Sequence, residues 1–149
     1  MGLRLLHLVS FSIFVGSVCT VFALKLLAER FQSDQLSGTL GHLQTVDKVV
    51  TAPSAILLAL TGIGLLLPYG TAALTTFWIL ALIALWIIGL SLAHLWAIPQ
   101  LKLLVSLARV SGGADDAYKR MSRSWNGINI ILISLLMIAT VVAVYKPYS

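Results

Sequence analysis

Long apolar runs separated by short polar stretches dominate the chain. Four runs stand out, residues 3–27, 49–69, 74–98 and 125–145. Each supplies the roughly 20 residues that a helix rising 1.5 Å per residue needs to cross about 30 Å of hydrocarbon. The pattern predicts an all-α integral membrane protein: one domain over residues 1–149, an antiparallel four-transmembrane-helix bundle. The first run is longer than the core of a secretion signal and is read as a retained helix. Within it Ser12, Gly16 and Thr20 recur every four residues. Such a ridge of small side chains lets helix backbones approach closely in lipid, so it is expected to face the second or fourth span. The second run carries Ala55, Ala59 and Gly62 on one face, with Pro53 near its start, where a missing amide donor costs least. Asp47 is expected to cap that start. In the third run Trp78 and Trp96 fall near opposite interfaces, where indole rings anchor.

The linkers carry their own signals. Pro99 is expected to bend or end the third span, yet "LKLLVSLARV" at 101–110 keeps helical periodicity. Gly112 and Gly113 stop it, and Asp115 and Asp116 can cap a new helix running into the fourth span. A short helical hairpin is therefore predicted between spans three and four. The first linker, residues 28–46, holds Ser33, Ser37, Gly38 and Gly41 and reads as a loop skimming the membrane surface. The second, around "PYGTAALTT", is short enough to make spans two and three neighbours.

Composition agrees: 59% of residues are hydrophobic and 10% charged, against about a quarter charged in soluble domains. Ten Lys and Arg against five Asp and Glu give a net charge of +5. Their distribution tells against a nucleic-acid surface. With four spans, Lys25, Arg30, Lys48, Lys102, Arg109, Lys119, Arg120 and Arg123 collect on one side, and only Arg4 and Lys146 on the other. The positive-inside rule makes the first side cytoplasmic and puts both termini on the periplasmic side of a bacterial inner membrane, with the lipid bilayer as main partner. The single Cys19 excludes an internal disulfide and is expected to be a small packing residue.

Polar groups inside hydrocarbon are costly and mark candidate sites. They are His7, His94, Asn126, Asn129 and, at the end of the last span, Lys146; His42 falls in the first linker. Two histidines suggest haem ligation, but depth separates them: His7 lies about 6 Å inside its span and His94 about 30 Å from the same face. The expected neighbours of His7 are Lys146 and Tyr145, a cluster able to ligate a cofactor, haem b included, or to bind an anion. The plainer alternative has His7 bonding a backbone carbonyl or interfacial water while Lys146 snorkels to the headgroups. Asn126 and Asn129 are expected to bond across to the second or third span. No carboxylate falls inside a run, which tells against a proton pump, and metal-ligand spacings such as HExxH are missing.

Several segments together carry a resemblance: "VDKVVTAPSAILLALTG" at 46–62, "AIPQL" at 97–101, "AYKRMSRSW" at 117–125 and "VYKP" at 144–147. They resemble a bacterial family of predicted four-helix integral membrane proteins of unknown function, over nearly the whole chain. A more distant likeness is to the haem-associated membrane protoporphyrinogen IX oxidase (HemJ-like), through His7, through Pro53 with Gly62, and through Lys146 with Pro147. That likeness implies His7 as a haem-iron ligand and Lys146 as a second functional residue. The Pro-Arg pair that follows the first-helix glycine in that enzyme is absent here, where the chain reads "GSVCTVFALKLL". The expected function is a small accessory or interaction subunit of a larger membrane assembly, an electron-transfer one among the candidates, or a homo-oligomer. The alternative is a b-type haem-binding oxidoreductase centred on His7. A transporter ranks last, for want of a polar site near the midplane.

Overall fold

The computed structural model describes residues 2–31 and 35–145, the side chains of 73 and 74 excepted. Six α-helices account for most of them, and no strand occurs among the described residues: α1 (Gly2–Arg30), α2 (Leu36–Val46), α3 (Ala52–Leu66), α4 (Phe77–Leu92), α5 (Ile98–Ser111) and α6 (Asp116–Tyr145). A π-helical turn, Asp47–Thr51, joins α2 to α3, and a second, Ala93–Ala97, joins α4 to α5. Four continuous helical segments result, of 29, 37, 35 and 30 residues, all long and apolar enough to cross a membrane.

The two π turns share a cause. Pro53 and Pro99 each stand just beyond one of them. A proline inside a helix has no N–H to give, and its ring crowds the carbonyl four residues back. Widening the preceding turn relieves the crowding without breaking the helix, so Ala52 N–H reaches back to Asp47 and Ile98 N–H to Ala93. Asp47 is accordingly part of a mid-helix turn and not the cap expected of it, and Pro99 neither ends nor breaks its helix.

The first linker differs most from expectation. Residues 36–46 form α2 instead of a loop, because Leu36, Leu40 and Leu43 recur at helical spacing and are buried. They pack against Leu101, Leu104, Val105 and Ala108 of α5, with Val21, Tyr118 and Trp125 completing the cluster. Burying a leucine away from water is worth about 1.5–3 kcal/mol, ample to override two helical glycines at about 1 kcal/mol each. This core lies at the end of the molecule where α1 finishes and α6 begins, here called the basic end. The placement follows from solvent. A helix of 35 residues is about 52 Å long, so α2 and α5 project beyond the bilayer, where water drives leucines together. Lipid provides no such drive between the spans.

In the apolar half α1 lies along α3, and α4 along α6. Leu3 reaches Gly64 and His7 reaches Gly62, so residue numbers run oppositely on the two helices. An edge-on contact of Phe14 with Trp86, ring centroids 5.5 Å apart, links α1 to α4. The buried α1 residues are Ser10, Ser17, Val21 and Lys25. The expected ridge, Ser12, Gly16 and Thr20, is exposed, and nothing lies within 4 Å of a Cβ built on Gly16. Cys19 is exposed beside it, not the buried packing residue expected. The third linker behaves as expected: Gly112 and Gly113 take positive φ (60° and 86°), and Asp115 Oδ1 accepts from Ala117 N–H at 3.3 Å to start α6. The second does not make neighbours of spans two and three, for α3 packs on α1 and α4 on α6, with no contact between α3 and α4.

Candidate functional site

The strongest concentration of polar chemistry is one that the sequence reading passed over. Lys25, near the end of α1, has a fully buried side chain, while that of Glu29, one turn on, is 20% exposed. The ammonium of Lys25 donates to Glu29 Oε2 at 2.8 Å, to Ser122 Oγ at 2.5 Å and to Asn126 Oδ1 at 2.6 Å. Those three bonds use all its protons. Glu29 Oε1 accepts from Tyr118 at 2.7 Å and from Ser122 at 2.6 Å. Lys25 Nζ also lies 5.2 Å from the centre of the Trp125 ring, on its face, an attraction of cation to ring quadrupole. Trp125 Nε1 in turn donates to Ala97 O at 3.0 Å, so the cluster is tied to the second π turn as well. The result is a closed, charge-balanced network that fastens α1 to α6.

Lys25 therefore serves no headgroup; the other basic residues assigned to that side, such as Lys48, Lys102, Arg109 and Arg123, are exposed. A signal was present: Tyr118, Ser122 and Asn126 recur every four residues, a polar stripe on one face of α6 facing the i, i+4 pair Lys25–Glu29. Asn126 thus bonds to the first span, and Asn129 to the Trp125 carbonyl of its own helix at 2.9 Å, neither to the second or third span as expected.

At the other end of α1, His7 Nδ1 lies 2.8 Å from Thr61 Oγ1 of α3. With the threonine hydroxyl donating to the Leu57 carbonyl at 2.7 Å, the ring is the donor of the pair and Nδ1 carries the proton. The Leu58 carbonyl, 3.1 Å from the same hydroxyl, is a further acceptor beside it. Nε2 keeps its lone pair, with no hydrogen-bond partner among the described residues. Gly62 makes the approach possible: a Cβ there would stand 3.3 Å from His7 Cε1.

Lys146 lies outside the described residues, and the Tyr145 side chain is exposed. His94 is exposed and turns Nδ1 to the Leu90 carbonyl of its own helix at 3.1 Å. His94 lies in the second π turn, whose Ala97 carbonyl accepts from Trp125 beside Lys25, and His7 stands 18 residues before Lys25 on α1, about 27 Å at 1.5 Å per residue, so the two histidines occupy opposite ends. His42 is exposed on α2. Among the described residues no group of three or more His, Cys, Asp or Glu side chains could hold a metal ion.

The sequence of residues 1–147 matches the family model of the predicted integral membrane proteins DUF2269. The chain belongs to that family. No curated protein matches it and no solved structure does, so the likeness to the oxidase gains nothing from comparison. For this DUF2269 member, membership supports the first resemblance and the integral membrane character that the four apolar segments express.

Proposed function

We propose that the protein is a small helix-packing subunit of a larger assembly in the bacterial inner membrane, its basic end in the cytoplasm and both termini periplasmic. The exposed cations at the basic end support that orientation. The observation that carries the subunit reading is the outward ridge: Ser12, Gly16 and Thr20 present backbone-accessible small residues to lipid, where they gain nothing unless another helix packs on them. Cys19, exposed beside the ridge, is a native reporter. Thiol-directed cross-linking in intact membranes is expected to yield a discrete adduct, with a second copy or with a partner, that Gly16→Ile abolishes. An adduct indifferent to Gly16→Ile, or none, refutes the reading.

A second reading rests on the His7 geometry. Metal-bound histidines characteristically donate their other ring N–H to an oxygen that fixes the ring, which is what Thr61 does for His7. His7 Nε2 would hold the iron of a b-type haem, with Lys146 a candidate for the second functional group. Such a haem would supply one-electron chemistry at its iron. This reading predicts a Soret band in the purified protein, lost in His7→Ala and kept in His94→Ala. Protein purified from haem-replete cells without that band rules it out.

A further inference from the structure

We infer that the π turn Asp47–Thr51, which packs on α1, binds a monovalent hard cation of the sodium class, independently of the subunit reading. The turn gathers oxygens that lack a positive partner. Thr51 is 8% exposed, and its Oγ1 is buried without a hydrogen bond. The Asp47 carboxylate approaches that hydroxyl from one turn back on the same face. Asp47 is itself half-buried, and among the described residues it belongs to neither ion pair, Lys25–Glu29 or Lys119–Asp116. A carboxylate drawn away from water without a counter-charge is costly, and so is an orphaned hydroxyl. One cation between the two relieves both.

The sequence accounts for the arrangement. Pro53 widens the turn and removes a donor from it. The Lys48 carbonyl would accept from Ala52 N–H in an α-helix and from residue 53 in a π turn. Ala52 N–H goes to Asp47 instead, and Pro53 has none, so this oxygen too is left without a helical donor. Interrupted membrane helices use freed carbonyls of this kind to coordinate sodium. Across the interface, the antiparallel register sets His7 against Thr61 and Leu3 against Gly64. Ten residues on from the first pair, Thr51 comes level with Ser17. Ser17 is 8% exposed, and its hydroxyl donates to the Phe14 carbonyl at 2.8 Å, which leaves its lone pairs free to accept. The set is one carboxylate with neutral hydroxyl and carbonyl oxygens. Its single negative charge matches a monovalent ion, whereas calcium and magnesium sites add carboxylates or phosphates.

The full chain in detergent is unfolded by heat at constant ionic strength in sodium, potassium, magnesium or N-methylglucamine chloride. A tenfold excess of sodium over its dissociation constant should raise the wild-type midpoint by about 3–6 °C relative to N-methylglucamine. The rise should be lost in Asp47→Asn and in Thr51→Val. It should persist in Thr51→Ser, which keeps the oxygen, and in Asp116→Asn, which removes an exposed carboxylate at the same end. In N-methylglucamine, Thr51→Val should be no less stable than wild type, because the orphaned hydroxyl is gone; a merely structural role for Thr51 would instead lower the midpoint in every salt. If Asp47→Asn does not fold, the contrast of Thr51→Val with Thr51→Ser decides the matter alone. An equal rise in potassium supports the site and makes it unselective among alkali ions. A rise in magnesium alone, no rise with sodium in wild-type protein, or the same rise in every variant, as a general salt effect gives, overturns it.

Discussion

Replacing Glu29 by leucine should destabilise the fold far more than replacing its partner Lys25 by methionine. The reason lies in which charge is left behind. Without Glu29, the Lys25 ammonium stays fully buried with no counter-charge, and the hydroxyls of Tyr118 and Ser122 lose their acceptor. Orphaning a buried charge costs about 3–5 kcal/mol. Without Lys25, the carboxylate keeps two donors, and its side chain, 20% exposed, can draw in water. The loss is then nearer that of an unmade hydrogen bond, about 1–3 kcal/mol. The double variant removes both charges and should recover about 1–3 kcal/mol relative to Glu29→Leu alone, since an apolar replacement of a buried pair is often close to neutral. Unfolding by sodium dodecyl sulfate in mixed micelles, followed by circular dichroism, measures all three against wild type. Additivity within about 0.5 kcal/mol, or a larger cost for Lys25→Met than for Glu29→Leu, would show that the buried pair does not hold α1 to α6.

Three further substitutions probe the surroundings of that network. Gly113→Ala places a methyl 2.6 Å from Leu36 Cδ2, a side chain 4% exposed, whereas Gly112→Ala meets open space at a similar left-handed φ. Both carry a strain of about 1–2 kcal/mol, and Gly113→Ala should cost about 1–3 kcal/mol more for overpacking; equal thermal midpoints would refute the tightness of the α5–α6 turn. Trp125→Phe keeps a ring beside Lys25 but gives up the bond to the Ala97 carbonyl, and should cost about 1–2 kcal/mol in the same denaturation assay. A loss below about 0.5 kcal/mol would mean that the π turn is not held by this indole.

The membrane spans were legible because apolar runs of about 20 residues have few other uses. The α5–α6 hairpin was legible because Gly112, Gly113 and Asp115 carry explicit stop and start chemistry. Residues 36–46 were misread because Ser37, Gly38 and Gly41 look like a loop, while the leucines that make α2 gain their stability only from α5, more than 50 residues away in the chain. Lys25 was misread for a related reason: counted as one charge among ten, it looked like a headgroup contact, and only the facing stripe of α6 turns it into a buried group. His7 stood out as a polar residue in an apolar run, yet its partner Thr61 lies on a helix whose depth the sequence defines only to within a turn or so.

The ridge on α1 could have been oriented from spacing alone, and the geometry explains why it faces outward. His7 and Lys25 are 18 residues apart, about five turns at 3.6 residues each, so they lie on one line along the helix. Both are anchored inward, to Thr61 of α3 and to Ser122 and Asn126 of α6. Gly16 is nine residues from each, about two and a half turns, which is the opposite side of the cylinder. Ser12 and Thr20, four residues either way, stay within about 40° of that line, and Cys19 within about 60°. Two polar anchors at the ends of one helix thus fix its rotation, where apolar packing between spans would leave rotation only weakly specified. Lipid and any neighbouring helix therefore meet the small-residue face of α1, while its anchored face holds α3 and α6.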